Sequence, residues 1–170
     1  MKIYRIPVGE LLANCYIIET ENKNAVAIDP GSDFQRIKNL LDEHELTLKK
    51  ILLTHGHFDH IGAAHEISAA YSAEVYIHEE DAPMLASRTK SLADAIGSGQ
   101  FNEIMKFTTV TNGDVIILDE LSFEVIHTPG HTRGGVCYKC GNALFTGDTL
   151  FKLSMGRTDF PGGNMGEMFK

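Results

Sequence analysis

Three histidines and one aspartate crowd into residues 55–60, immediately after a short apolar run. Imidazole nitrogens and carboxylate oxygens are ligands of zinc, iron and manganese. Because residues two apart in an extended segment point the same way, His55 and His57 can converge on one metal ion. Asp59 and His60 lie beyond a further turn and can face a second ion. A polar loop whose histidines cap a helix is the alternative, but turn chemistry does not require three imidazoles.

Two further candidate ligands each follow a predicted strand. His131 comes after a strand predicted at residues 123–126, and Asp148 comes after a strand predicted at residues 143–145. The histidine-rich segment also follows a strand, and strand ends are a usual location for the active sites of α/β proteins. Taken singly, these two side chains would be ordinary loop residues. Their shared position after strands predicts that all the candidate ligands meet at one edge of the fold.

The elements that must position these side chains are predicted from apolar patterning. Alternating apolar and polar residues predict strands, and Phe34, Ile37 and Leu41 recur at helical spacing over residues 34–43. A second helix is predicted from residue 61 to about residue 71. Strands are predicted at residues 2–6, 15–19, 25–28, 50–54, 74–78, 114–118, 123–126, 136–138 and 143–145. Strand-rich blocks interleaved with helices favour an α/β sandwich over a single doubly wound sheet.

Composition sets limits on the class of protein. The chain has 170 residues, 43% of them hydrophobic, which suits one domain with a substantial core. No run approaches the roughly 18 apolar residues of a membrane helix, and no signal peptide is evident, so a cytoplasmic location without membrane contact is expected. The 3 cysteines are too few for a disulfide scaffold, in agreement with a reducing compartment. A formal net charge of −8 argues against a nucleic-acid partner.

The end of the chain carries a helix-start signal with little chain after it. Asn164 and Glu167 have the spacing of a capping box, with asparagine as the N-cap, yet the sequence stops at Lys170. A helix of one turn is not stable by itself, because nucleation is costly. A frayed tail is one interpretation. The other, which we adopt as an expectation, is that the natural chain continues.

The candidate ligands occur in a set order along the chain: Asp29, then His55, His57, Asp59 and His60, then His131, then Asp148. This order resembles that of the metallo-β-lactamase superfamily. The segments TGDTLF at 146–151 and GRTDFPGG at 156–163 resemble its glyoxalase II-like branch. The resemblance spans essentially the whole chain. It implies a four-layer αββα sandwich, from which the last helix and strand would be missing here.

The resemblance also implies how the candidate ligands divide between two metal ions. His55, His57 and His131 would bind the first ion, Asp59 and His60 the second, and Asp148 would bridge them. Zinc is the metal that the family implies, and iron or manganese suits the same ligands. The family's second ion takes one more histidine from a segment that would follow Lys170, and no residue of this sequence matches it.

Three residues receive roles besides metal binding. Asp59 would act in catalysis by accepting a hydrogen bond from a metal-bound hydroxide nucleophile and orienting it. Asp29 is expected to hold a ligand histidine in place rather than to bind metal. Arg157 resembles in position a basic residue that contacts the glutathione carboxylate in glyoxalase II, although a solvated arginine is an equally good interpretation.

The resemblance implies a metal-dependent hydrolase of small thioesters such as S-lactoylglutathione. A thiolate leaving group is a weak base, so such a reaction needs little help from a general acid. The same superfamily contains mononuclear iron persulfide dioxygenases, which are the alternative from another reaction class. A third hypothesis is that the chain is a metal-binding but inactive fragment.

Overall fold

The structure is a computed structural model that describes residues 1–96 and 101–170. Its larger sheet has 6 strands in sequence order. They are β1 (Lys2–Val8), β2 (Ala13–Glu19), β3 (Asn24–Ile28), β4 (Thr47–Leu52), β5 (Glu74–His78) and β6 (Thr108–Val110). The first three strands are antiparallel, as predicted, and the pairs from β3 to β6 are parallel. Parallel neighbours need long crossovers, and helices supply two of them.

Helices α1 (Phe34–Glu43) and α3 (Ala64–Tyr71) cover one face of this sheet. Ile37 and Ile67 are fully buried against alternate residues of the central strands, such as Ala27. The intervening residues, such as Val26, point to the opposite face and enter a second core. The strands are therefore buried on both sides, as in a sheet that lies in the middle of a layered fold.

The second core separates the larger sheet from an antiparallel sheet of 4 strands. In spatial order these are β10 (Ala143–Phe145), β9 (Val136–Cys140), β8 (Leu121–His127) and β7 (Val115–Leu118). Phe123 and Tyr138 are fully buried between the sheets. The Tyr138 hydroxyl donates a hydrogen bond of 3.0 Å to the Leu53 carbonyl, directly before the histidine-rich segment. The predicted α/β sandwich is confirmed.

The end of the chain packs against the loop that carries His131. After the hairpin of β11 (Leu150–Phe151) and β12 (Ser154–Met155), a short helix α4 (Met165–Met168) begins at Asn164. The Asn164 side chain accepts hydrogen bonds from the backbone N–H groups of Gly166 and Glu167, as an N-cap does. Its own N–H donates to the Gly130 carbonyl at 2.8 Å instead of to the Glu167 carboxylate. Tertiary contact thus replaces the second half of the predicted capping box.

The histidine-rich segment differs from its prediction as a loop. A short helix α2 (Phe58–Ile61) begins directly after His57, so Asp59 and His60 lie in a helical turn. Four residues carry too little apolar periodicity to reveal a helix in sequence. Asp59 suits this position because a carboxylate is favourable in the first turn of a helix.

The strands β6, β11 and β12 were not predicted either. β6 is held by pairing with β5. Such short strands depend on a partner from elsewhere in the chain, which local pattern does not show. Among the described residues, no helix has the length and apolar content needed to cross the bilayer.

The bond between the sheets gives a stability prediction. We expect Tyr138→Phe to lower the free energy of unfolding by about 1–2 kcal/mol, because the buried Leu53 carbonyl loses its donor. Chemical denaturation measures the change. Tyr16→Phe is the matched control, because the Tyr16 hydroxyl has no hydrogen-bond partner among the described residues although its ring packs on Phe145. Equal effects of the two substitutions would contradict the prediction.

Candidate metal centre

The carboxyl ends of four strands meet at one edge of the sandwich. Asp29 follows β3, His55 follows β4 after two further residues, His131 follows β8 and Asp148 follows β10. The first three side chains are buried, and the Asp148 side chain is 25% exposed. The sequence-based expectation that strand ends deliver these residues to one place is therefore met in the geometry.

A first cluster is formed by three imidazoles. One ring nitrogen from each of His55, His57 and His131 lies within 4.8 Å of the others. Nδ1 of His57 is 2.9 Å from Nε2 of His131. All three residues are at most 5% exposed, so the cluster lies in a water-poor environment.

A second cluster adjoins the first and contains carboxylates. Nε2 of His60 lies 3.2 Å from Oδ1 of Asp148 and 3.6 Å from Oδ2 of Asp59. The other oxygen of Asp148 lies 3.5 Å from Nε2 of His131. One carboxylate thus faces a histidine of each cluster, which is the arrangement required of a bridging ligand. His55, His60 and Asp148 also form a ligand-type group of their own.

Hydrogen bonds fix which nitrogen of each ring faces the centre. Nδ1 of His60 contacts Oδ2 of Asp29 at 2.9 Å, and Nδ1 of His131 contacts the Arg157 carbonyl at 2.7 Å. Nδ1 of His55 lies 3.1 Å from the Thr54 hydroxyl. In each case the remaining Nε2 is left for the centre, which is the usual arrangement of metal-binding histidines.

Asp29 lies behind the centre, in the orienting position expected of it. Its Oδ1 accepts a hydrogen bond of 2.7 Å from the Thr54 N–H, and its Oδ2 accepts one of 2.6 Å from the Thr54 hydroxyl. The same Oδ2 holds His60. Close packing of the neighbouring loop needs a glycine, because a Cβ on Gly31 would lie 1.5 Å from the Asp59 carbonyl oxygen. The sequence analysis did not identify Thr54 as part of the site, although its position directly before His55 indicated that it lies there.

Burial and neighbouring charges separate the ionisation of the two clusters. Burial, reinforced by the nearby imidazoles, lowers the pKa of His55 well below its usual value and that of His57 to about 3. Burial would also lower the pKa of His60, but Asp29, Asp148 and Asp59 outweigh it and hold that pKa well above its usual value. His55 and His57 are thus neutral at pH 7, as metal ligation requires of histidine.

The two carboxylates differ in the same way. Burial raises the pKa of Asp59. Burial opposes ionisation of Asp148 too, but His60, His131 and His57 together lower its pKa. An ionised Asp148 between the two groups of imidazoles is suited to bind cations.

The residues present fit a metal centre. Nε2 of His55 and Nε2 of His57 are buried without a hydrogen-bond partner among the described residues. Leaving such a group unpaired costs about 1–3 kcal/mol, and for Nε2 of His55 a cation offers compensation that no described side chain supplies. His57 instead directs Nδ1 toward the cluster, 2.9 Å from Nε2 of His131. Imidazole and carboxylate donors suit zinc, iron or manganese.

Arg157 lies beside the centre with its guanidinium already engaged. Nε and one Nη each bond Asp159 at 2.7 Å, and the guanidinium lies 3.9 Å from the ring centre of Phe160. The Phe160 ring in turn meets the edge of the His57 ring at 5.9 Å. The sequence analysis missed Phe160, because a single aromatic residue in a glycine-rich loop carries no positional signal.

Comparison with known proteins identifies the family. Residues 8–170 match the model described as the metallo-beta-lactamase superfamily. This chain belongs to that superfamily. Membership identifies a metal-dependent hydrolase. The superfamily binds metal through His and Asp groups, and the structure brings candidate ligands of these two types together.

Three relatives illustrate the likeness within the superfamily. The hydroxyacylglutathione hydrolase GloC of Haemophilus influenzae is 36% identical over 167 residues, which cover 96% of this chain and 79% of the relative. The crystal structure of BLEG-1 B3 metallo-beta-lactamase has a TM-score of 0.92 at 34% identity, with 98% and 81% of the two chains covered. TTHA1623 in a di-iron-bound form has a TM-score of 0.85 at 32% identity, with 98% and 82% covered.

The Asp29 network gives a prediction about metal content. We expect Asp29→Asn to weaken binding of the second metal equivalent about 10- to 100-fold. An asparagine side chain has a single oxygen, so it cannot accept all the hydrogen bonds that the Asp29 carboxylate accepts from Thr54 and His60. Binding of the first equivalent should change less. Elemental analysis after dialysis against buffered metal measures both.

Asp114→Asn is the matched control for this variant. Oδ2 of Asp114 also accepts from the N–H and the hydroxyl of one threonine, Thr111, but in an exposed turn. It should leave both metal equivalents unchanged. Equal loss of the two equivalents in Asp29→Asn would show that Asp29 supports the whole fold rather than His60.

Proposed function

We propose that this superfamily member hydrolyses small thioesters, S-lactoylglutathione among them, at a centre that holds two metal ions. The observation that carries the proposal is the Asp148 carboxylate, whose two oxygens face His60 of one cluster and His131 of the other. Such a pair of sites is typical of metal-assisted hydrolysis, with ions roughly 3.5–4 Å apart. The likeness to GloC, named as a hydroxyacylglutathione hydrolase, supports the thioester as the substrate class.

The proposed ligand sets follow the two clusters. His55, His57 and His131 would hold the first ion, while Asp59 and His60 would hold the second and Asp148 both. Bound there, the ions would supply Lewis acidity, lowering the pKa of water to about 7 and polarising the thioester carbonyl. Zinc is the metal we propose first. Iron remains the principal competitor, since a neighbour carries a di-iron centre.

The chain's own residues would orient the reactants. Asp59 lies 3.6 Å from His60 with its side chain 21% exposed, so its carboxylate can accept a hydrogen bond from the attacking water and aim it. The Phe160 ring beside His57 forms an apolar wall that excludes bulk water from this side. Collapse of the tetrahedral intermediate breaks the C–S bond, and the thiolate leaves without needing a protein acid.

A cavity of about 490 Å³ beside α2 offers room for the substrate. Phe58 and Asp59 line it on the side of the histidine-rich segment, and Leu11, Phe34 and Phe101 line it elsewhere. Its aromatic walls suit the apolar part of an acyl or thiol group. We propose that the thioester reaches the centre from this cavity.

The first experiment loads the protein with zinc or with iron and measures thiol release from S-lactoylglutathione. The proposal expects turnover with metal and none after chelation. Oxygen consumption with glutathione persulfide on the iron-loaded protein, without thioester hydrolysis, would favour the dioxygenase instead. Metal binding without either reaction would favour an inactive metal-binding protein.

Asp59→Asn tests the orienting role. We expect kcat to fall about 10²- to 10⁴-fold, because a neutral amide is a weaker hydrogen-bond acceptor than a carboxylate and orients the attacking water less well. Metal content is measured on the same sample, so that loss of a ligand and loss of orientation are separated. Asp42→Asn, on the exposed face of α1, is the control and should retain full activity. Unchanged kcat in a fully metal-loaded Asp59→Asn protein would exclude the role.

Arg157 is proposed to bind a carboxylate of the thiol carrier by exchanging Asp159 for substrate. Arg157→Ala should then raise KM for S-lactoylglutathione roughly 10- to 100-fold, which corresponds to the loss of one hydrogen bond to a charged group. KM for the same acyl group on N-acetylcysteamine, which has no carboxylate, should not change. Asp159→Asn should lower KM for the glutathione thioester alone. Equal changes in KM for both thioesters would contradict the proposed contact with the substrate carboxylate. Arg157 would then keep only its role in orienting His131.

A further inference from the structure

Asp81 is a buried carboxylate that lies between the two loops that carry the first cluster. It follows β5 and precedes a single turn of 3-10 helix, Ala82–Met84. The residue is 1% exposed. A carboxylate is seldom buried so completely unless donors surround it, so its contacts indicate what it does.

All three hydrogen bonds of the Asp81 carboxylate go to those loops. Oδ2 accepts from the N–H of Gly56 at 3.1 Å and from the hydroxyl of Thr132 at 2.7 Å. Oδ1 accepts from the N–H of Gly134 at 2.8 Å. Gly56 lies between His55 and His57, and Thr132 directly follows His131. One side chain therefore ties together the backbone segments that bear all three imidazoles.

The atoms around these hydrogen bonds are tightly packed. A Cβ on Gly134 would lie 2.6 Å from the Asp81 nitrogen and 2.8 Å from its Cγ. A Cβ on Gly56 would lie 2.5 Å from Cβ of Met84, in the turn that Asp81 begins. Both loops thus rest directly on the segment from Asp81 to Met84. This contact therefore limits how closely the two loops can approach each other.

We propose that Asp81 is a positioning residue: it holds the imidazoles of the first cluster at ligand distance without binding the metal itself. The role rests on the metal centre of the proposed function but not on its substrate. Nδ1 of His57 and Nε2 of His131 lie 2.9 Å apart, where one ring can donate a hydrogen bond to the other, and that bond is given up when both nitrogens bind an ion. The Asp81 carboxylate bonds both loops whether or not the two rings bond each other, so it can hold them in place when the ion binds.

The test uses cobalt(II) as a spectroscopic probe and compares the complete chain with Asp81→Asn. An amide keeps the size but turns an N–H group toward one of the three donors. We expect cobalt at the first site to bind about 10- to 100-fold more weakly, with an altered visible absorption spectrum that reports changed coordination. Thermal unfolding of the metal-free proteins is measured alongside, since a purely structural role would shift only that temperature.

Two further variants keep the test decisive. Thr132→Val removes one donor to Oδ2 and should weaken cobalt binding several-fold even if Asp81→Asn does not fold. Asp119→Asn is the control, because Asp119 also accepts from a threonine hydroxyl and an N–H group, at 2.6 and 2.8 Å, in an exposed turn. It should bind cobalt as the unmodified chain does.

The possible results separate this role from the proposed activity. Wild-type cobalt affinity and spectrum in folded Asp81→Asn and Thr132→Val would overturn the role, whatever the substrate. No cobalt binding by the unmodified chain would overturn both the centre and the role. Weakened binding in the two variants supports the role even if no thioester is hydrolysed.

Discussion

Buried imidazole nitrogens without protein partners are the constraint around which this molecule is arranged. Nε2 of His55 and of His57 lie out of reach of water and of any donor or acceptor among the described residues. A cation can take the lone pairs of Nε2 of His55 and of Nδ1 of His57, which faces His131, only where the surrounding chain prevents the rings from turning away. Most features at this edge of the sandwich serve one of those two requirements.

The sandwich meets the second requirement by fixing both ends of every ligand loop. The larger sheet is buried on both faces, so β3 and β4 cannot shift without disturbing two cores. Tyr138 joins the smaller sheet to the backbone just before the histidine-rich segment. The loops that follow are short and hydrogen bonded at their far ends. A preorganised centre of this kind loses little conformational entropy when the metal binds.

The two clusters differ in charge although they touch. The first contains the neutral imidazoles of His55 and His57, whereas the second places His60 among three carboxylates. A first ion would therefore meet neutral donors, and a second would meet negative charge that offsets repulsion from the first. Arg157 makes contacts on two sides. Its carbonyl orients His131, and its guanidinium pairs with Asp159 at the surface. One residue thus links the metal centre to the proposed substrate side.

The sequence by itself determined the candidate ligands, the strands on which most of them depend and the sandwich. Histidine and aspartate at short spacing after apolar runs are local patterns, and local patterns can be recognised in the sequence without knowledge of the fold. It did not reveal α2, the short strands held by partners, or the roles of Thr54, Phe160 and Asp81. Those depend on which segments lie side by side. An aspartate 50 residues from His131 becomes its support only because the tertiary fold brings β5 and β8 to the same edge.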